Sequence, residues 1–384
     1  MPPTATTEHL ADSQGKHRGL HYGLYASLYP DPQRRRRSIA VDRRERHRMT
    51  FFHGPHGPWL IAEIGGNHEG DFDTALRLAD LALEAGADAV KFQVYFGDTL
   101  VSSIASPDRN AHFKRFELSP KQHLALAERV LDAGRSYVAS VWDLNAFAWI
   151  TPVLSACKIG SGDLTAPPFL RAAAQTGKPL LLSTGLADMA EVTAAVDMIR
   201  TVNPAYRDRS RLAALQCTSM YPIADADAHL AVMGAFASLG MSVGYSDHTI
   251  GSKALEVAAA MGAEVLEFHF TDQKHNRSFR DHQLSLDGGD LQNLIQVLDQ
   301  INTLKGTPQK QPLPIEITND HPRSFRRAVY PSRDIAPGEV IDAGNICVLR
   351  PNQGIDARNY DQLLGRLAKR PLRRHQPLDW QDFE

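Results

Sequence analysis

The sequence predicts an eight-stranded parallel β/α barrel followed by a small, mostly β domain. Three observations carry that expectation. From Trp59 to about Lys305, short apolar strand patterns alternate with helical patterns, and regular βα alternation builds a parallel sheet. Eight such strands can be counted, the number that closes a barrel of about 250 residues. Beyond Lys305 the texture changes: Pro308, Pro312, Pro314 and Pro322 mark a linker, and short extended runs follow.

The first βα unit sets the pattern. Leu60–Ile64 reads as a strand, and Gly65-Gly66 ends it before a loop holding Asn67, His68 and Glu69. Asp71–Asp73 can cap a helix whose Ala75, Leu78, Ala79, Ala82 and Leu83 form one apolar face, closed by Gly86. In the next strand, Ala89–Tyr95, Val90, Phe92 and Val94 alternate with Lys91 and Gln93. The apolar set suits the helix side, so Lys91, Gln93 and Glu63 point to the barrel centre. Charge there is costly without a partner and implies a ligand site.

The remaining elements follow in order. Gly97–Phe116 is a polar connection containing Arg109, Asn110 and His112. Pro120–Ala133 is a helix, Ser136–Val141 a strand, Asn145–Ile150 a short helical piece and Ala156–Ile159 a strand. Pro168–Thr176 and Asp188–Val202 are helices flanking the strand Pro179–Thr184. Leu212–Cys217 is a strand, Ala226–Leu239 a helix, Ser242–Tyr245 a strand and Ser252–Met261 a helix. Glu264–Phe270 is the last strand and Asp290–Leu304 the last barrel helix. In the tail, Ser324–Val329, Arg333–Ile335, Ile346–Leu349 and Pro371-Leu372 suggest short strands. The expected domains are a basic extension over 1–50, the barrel over 51–306, a linker over 307–322 and the small domain over 323–384.

Composition narrows the class. With 42 Lys and Arg against 44 Asp and Glu, the near-neutral balance argues against a nucleic-acid surface. No apolar run is long enough to span a membrane. Cys157, Cys217 and Cys347 are scattered, show no disulfide framework or CxxC pair, and read as small buried hydrophobes in a reducing cytoplasm. The stretch from Met1 to about Arg48 carries basic runs and no apolar leader core. It reads as a disordered tail, with a polyanion-binding arm or a start at Met49 as alternatives.

Polar residues recur at the C-terminal ends of the strands, where barrel enzymes keep their active sites. They include Glu63, Asn67 and His68; Lys91 and Gln93; Ser140; Lys158, Ser161 and Asp163; Ser183; Ser219 and Tyr221; Ser246 and His248; and Glu267 and His269. Lys91 and Lys158, with Ser140, Ser161, Ser183 and Ser246, suit a phosphate; a Schiff-base lysine is the alternative. His248 and His269, at the ends of neighbouring strands, suit a divalent metal with open positions; the bland alternative is a core hydrogen bond.

The motifs AEIGGNH, ADAVKFQ, KIGSGD, LSTG, CTSMYP, GYSDHT and EFHFT, in that order, resemble those of the sialic acid synthase family. The tail SFRRAVYPSRDIAPGEVIDAGNICVLRPNQGI resembles that family's C-terminal SAF (antifreeze-like) domain. The resemblance implies condensation of phosphoenolpyruvate with an N-acetylated amino sugar, typically N-acetylmannosamine, to a nonulosonic acid and phosphate. It implies a divalent ion, Mn²⁺ first, with Mg²⁺ or Co²⁺ possible. It also implies a homodimer in which the SAF domain of one chain covers the active site of the other. By the same resemblance, His248 and His269 bind the metal. Lys91 and Lys158 grip phosphoenolpyruvate, with Ser140, Ser161, Ser183 and Ser246 as hydroxyl partners. Glu63 is the acid near the reacting carbon. Gln93, Asp163, Tyr221 and Asp281 contact the sugar, and Arg350 reaches a partner's sugar pocket.

The acceptor half departs from the family pattern. Gly97–Phe116 is short, Phe279-Arg280 replaces an expected Gly-Pro with one residue more, and Pro-Asn-Gln-Gly stands in the small domain for Pro-Gly-Asn-Gly. A 6-deoxy diacetamido hexose, the pseudaminic or legionaminic branch, is therefore the competing acceptor. The rival classes are a metal-dependent pyruvate aldolase and a non-catalytic carbohydrate-binding protein.

Overall fold

The computed structural model describes residues 51–277 and 279–384. The expectations for the basic extension at 1–50 fall outside the described residues. Eight parallel strands close a barrel in sequence order: β1 Trp59–Glu63, β2 Ala89–Val94, β3 Ser136–Val141, β4 Ala156–Ile159, β5 Leu180–Ser183, β6 Leu212–Gln216, β7 Ser242–Asp247 and β8 Val265–His269, with β8 pairing back to β1.

Local chemistry explains the alternating helices. Asp71 accepts a hydrogen bond from the Thr74 amide at the start of Phe72–Ala85. Gly86 ends that helix at φ 105°, a left-handed conformation that glycine adopts without Cβ strain. Ser119 with Gln122, and Asp188 with Glu191, form reciprocal capping boxes for Pro120–Asp132 and Met189–Val202. The helices bury their apolar faces against the outward side chains of the strands, among them Val90, Phe92, Leu180 and Phe268.

Inside the barrel a separate apolar layer fills the N-terminal end. Ile61, Ala89, Val138, Ala156, Leu181 and Val265 pack there, with Phe52 and Trp59 below. One inward step further along, the same strands present Glu63, Lys91, Ser140, Lys158, Ser183 and Glu267, which form the floor of the site. Strand register fixes their neighbours: Glu63 lies opposite both Lys91 and His269, Ser140 opposite Gln93 and Lys158, and Ser246 opposite Glu267.

Several expectations are corrected. Gly97–Phe116 is not a plain connection but two helices, Gly97–Leu100 and Pro107–Phe116. Ala226–Leu239 is not one helix: 3₁₀ turns at Asp225–Asp227 and Leu230–Val232 precede a short helix, Met233–Ala237, and His229 between them sits at φ 48°. Strand β7 runs to Asp247, two residues beyond the expected end.

The chain divides into two units after Lys305. In the second, the linker stretch contains the helix Pro314–Thr318, and His321–Ser324 is helical where a strand was expected to begin. Strands β9 Ala328–Pro331 and β10 Ile346–Leu349 pair antiparallel, while Ile335 and Leu372 meet only as an isolated bridge. Val329, Ile341, Ile346, Leu363 and Phe383 contribute to this unit's own core. Cys157 and Cys217 are buried as expected, but Cys347 on β10 is only half-buried.

Candidate active site

A cavity of about 610 Å³ opens at the C-terminal ends of the barrel strands. Its floor is a buried cluster of two lysines and two carboxylates. Lys158 Nζ donates to both oxygens of Glu267, at 2.5 and 2.6 Å. Lys91 Nζ lies 2.7 Å from Glu63 Oε2 and 3.5 Å from Glu267 Oε1. Ser246 Oγ donates to Glu267 at 3.1 Å, and Gln93 Nε2 donates to Glu63 at 2.9 Å. Burial pushes the Glu267 carboxyl up, but Lys158 and Lys91 outweigh it and hold the group down to about 2. Burial opposes the Lys91 charge, yet Glu267 and Glu63 raise its pKa above the ordinary value.

Hydroxyls stand around this cluster. Ser161 Oγ accepts the Gly185 amide at 3.1 Å and lies 3.7 Å from Cys217 Sγ, a contact in which either group can donate. Ser183 Oγ is buried in the cavity lining with no hydrogen-bond partner among the described residues. Ser140 lines the same wall. Asp163 also faces the cavity, and burial pushes its carboxyl up to about 6.

His248 and His269 converge on one side, their rings 5.6 Å apart. The Nδ1 of His248 is 2.7 Å from the Thr218 carbonyl, an arrangement that places the proton on Nδ1 and leaves the Nε2 lone pair free. The Nδ1 of His269 is buried without a hydrogen-bond partner among the described residues, 3.8 Å from Asp281 Oδ2. Burial lowers the pKa of both rings, so both are neutral donors near pH 7. Two neutral imidazoles with an orphaned nitrogen have the donor chemistry for a divalent cation, although no group of three or more His, Cys, Asp or Glu among the described residues is placed to hold one.

Tyr221 packs its ring 4.1 Å from His248, and the Arg280 guanidinium lies 4.8 Å from the Tyr221 centroid. Asp281 does not line the cavity but stands beside His269 and Arg280. Arg350 lies in the second unit, 5.4 Å from the Phe325 ring centroid.

Glu267 is the residue whose role sequence reasoning left unassigned, although its alternation with His269 in VLEFH aimed both inward. Other lining residues were given no part in the site from the sequence, among them Trp142, Cys217 and Arg109. Arg109 sits on the helix Pro107–Phe116, where a connection was expected.

A closed β/α barrel with charges, hydroxyls and imidazoles gathered at the strand C-termini is an enzyme architecture. The chain belongs to the NeuB family: that family's model matches residues 78–310, and the SAF domain model matches 326–384. It is 33% identical to N,N'-diacetyllegionaminic acid synthase of Legionella pneumophila, over 85% of this chain and 94% of that one. It is 32% identical to N-acetylneuraminate-9-phosphate synthase of Mus musculus, over 69% of this chain and 76% of that one. The crystal structure of N-acetylneuraminic acid synthetase from Leptospira borgpetersenii superposes with a TM-score of 0.63 at 29% identity, covering 68% of this chain and 90% of that one. The named relatives are acid synthases, and this chain is a C–C bond-forming transferase of that type.

Proposed function

We propose that the protein condenses phosphoenolpyruvate with an N-acetylated amino sugar to give a nonulosonic acid and phosphate. The observation that carries this reading is one cavity holding Lys91, Lys158 and the unpartnered Ser183 hydroxyl beside two neutral histidines. The first set suits an anionic donor and the second a metal-bound acceptor. N-acetylmannosamine is the reference acceptor, and a 6-deoxy diacetamido hexose is the competitor.

The lysines bind the donor's carboxylate and phosphate, with Ser140, Ser161, Ser183 and Ser246 supplying hydroxyl donors. A divalent ion on His248 and His269, Mn²⁺ first with Mg²⁺ or Co²⁺ as alternatives, would polarise the aldehyde oxygen of the open-chain sugar. Carbon 3 of phosphoenolpyruvate forms the new bond to the aldehyde carbon, and the aldehyde oxygen takes a proton to become a hydroxyl. Glu63, held by Lys91 and Gln93, faces the cationic character left at carbon 2, where water adds. The bond from carbon 2 to the bridging oxygen then breaks. Phosphate leaves with that oxygen, and the oxygen from water becomes the keto group. Gln93, Asp163 and Tyr221 are the proposed sugar contacts, with Asp281 acting through His269.

The resemblance extends the proposal to a cytoplasmic homodimer in which the partner's SAF domain brings its Arg350 to the sugar. No helix among the described residues is long and apolar enough to cross a membrane.

The test is phosphate release from phosphoenolpyruvate with Mn²⁺ across a panel of N-acetylated mannose-type and 6-deoxy diacetamido aldoses. Release that depends on one aldose supports the condensation and names the acceptor. Carbon–carbon bond formation from pyruvate, without phosphate release, would favour the aldolase. His269→Ala should abolish metal-dependent turnover; unchanged activity with unchanged metal content would remove the metal assignment.

A further inference from the structure

A second cavity, of about 620 Å³, lies away from the barrel mouth. Asp197, Arg200 and Thr201 line it from the end of the helix Met189–Val202, and Arg207 from the end of the 3₁₀ turn Pro204–Arg207. Leu239 and Gly240, just before β7, complete the lining. The turn leads towards β6 and Gly240 towards β7, so the cavity sits at the N-terminal ends of these strands. That is the pole opposite the one where barrel enzymes do their chemistry. It shares no lining residue with the mouth.

Two guanidinium groups face this cavity, and neither has a carboxylate partner among the described residues. Arg200 is held by main-chain carbonyls: Nε donates to Tyr206 at 3.3 Å, and Nη2 donates to Leu239 at 2.9 Å and Gly240 at 3.2 Å. Its Nη1 makes no hydrogen bond among the described residues. Arg207 makes no hydrogen bond or ion pair among them. The turn beneath Arg207 is fixed. Tyr206 is fully buried and its hydroxyl donates to the Lys178 carbonyl at 2.6 Å, while Asn203 Oδ1 accepts the Ala205 amide at 3.1 Å. Nearby charges are engaged elsewhere: Arg209 pairs with Glu264 at 2.5 Å, and Asp208 Oδ1 accepts the Ser210 amide at 2.9 Å. Asp197 is the one acid of the lining, exposed and without an ion pair among the described residues. Two cations against one acid leave a surplus positive charge, whereas in the mouth each lysine has its own carboxylate.

We propose that this cavity binds a phosphate dianion, free or as the ester of a small metabolite, between Arg200 and Arg207. A fork already held by three carbonyls loses little side-chain freedom when a ligand arrives. Its open Nη1 and the five donors of Arg207 match several oxygens of one phosphate. The volume, similar to that of the mouth at about 610 Å³, leaves space for the body of a metabolite beside its phosphate. The site is separate from the condensation chemistry and does not depend on it.

The experiment is calorimetric titration of the full chain with inorganic phosphate and, separately, with glucose 6-phosphate, at low salt and at about 0.15 M chloride. Phosphate sites in the mouth are common to the wild type and the variants, so differences between them report this cavity. Arg207→Gln loses no protein partner and should fold normally. It should weaken one class of phosphate site about tenfold, the size of one charge-assisted contact. Asp197→Asn should strengthen the same class severalfold by removing repulsion. Both variants should bind phosphoenolpyruvate in the mouth as the wild type does. Tighter binding of the ester would identify a phosphorylated metabolite as the ligand, and tighter binding of inorganic phosphate would identify the free ion. Superimposable isotherms for wild type and Arg207→Gln would overturn the proposal. So would a difference that vanishes at about 0.15 M chloride, which marks an unspecific ion atmosphere.

Discussion

In β8, Val265 packs into the apolar layer of the barrel, while Glu267, two residues on, holds Lys91 and Lys158. The same step separates Val138 from Ser140, Ala156 from Lys158 and Leu181 from Ser183. Two residues are roughly 7 Å of strand, so side chains on one face of one strand serve opposite ends of the barrel interior. The apolar layer stabilises by burial and tight packing. The charged layer contributes little to net stability, because desolvation of its four ions offsets their attraction. Stability therefore resides mainly at one end of the barrel interior and chemistry at the other.

The largest break in that division should come from Glu267→Ala, which leaves two buried lysines facing one carboxylate. Removing one partner of a buried pair costs about 3–5 kcal/mol. Chemical denaturation should read that loss, together with loss of donor binding by calorimetry. Leu181→Ala in the apolar layer should cost about 2–5 kcal/mol in the same denaturation assay. Its folded fraction should keep kcat; a large fall in kcat would break the comparison.

The pH profile is next in size. Burial holds His68 and His123 at about 4 and about 3, below the ordinary histidine value near 6.5. Both take up protons on unfolding between those limits, so stability falls as pH drops below 6.5. Glu267 is held at about 2 against about 4.5 when unfolded, so its contribution is lost as pH falls from 4.5 towards 2. Thermal melting across this range should fall in two stages, and His123→Gln should flatten the first. Ser183→Ala should be the mildest for folding, within about 0.5 kcal/mol, since the hydroxyl has no protein partner to lose. It should raise KM for phosphoenolpyruvate severalfold, and an unaltered KM would remove Ser183 from the donor site.

Much of the barrel was legible because alternation and turn residues carry the strand pattern. Ser136–Val141 and Ala156–Ile159 have the bounds that the sequence implied. Strand β7 read short because Ser246 and Asp247 look like loop residues; in this barrel the strand itself carries them into the site. The helix Pro107–Phe116 was hidden for a related reason. Its only buried residues are Asn110 and Phe116, so no apolar stripe marks it. Ala226–Leu239 had a helical composition, but composition does not reveal the left-handed turn at His229 that divides it. The inward direction of Glu267 followed from alternation. Its partnership with Lys158, 109 residues away, depends on where β4 and β8 stand across the barrel.

The clamp made by Asn110 has a consequence for how such enzymes diverge. It fastens the helix bearing Arg109 to Gly97 and Val101, both within the same β2–β3 excursion. That excursion lies wholly between β2 and β3, so a change of length within it does not shift the residues inside either strand. A one-residue insertion within a barrel strand would instead turn its interior side chains outward beyond that point, exchanging core and site residues together. Sequence change is thus expected to accumulate in this excursion, while the strands that carry the lysines, carboxylates and histidines change slowly.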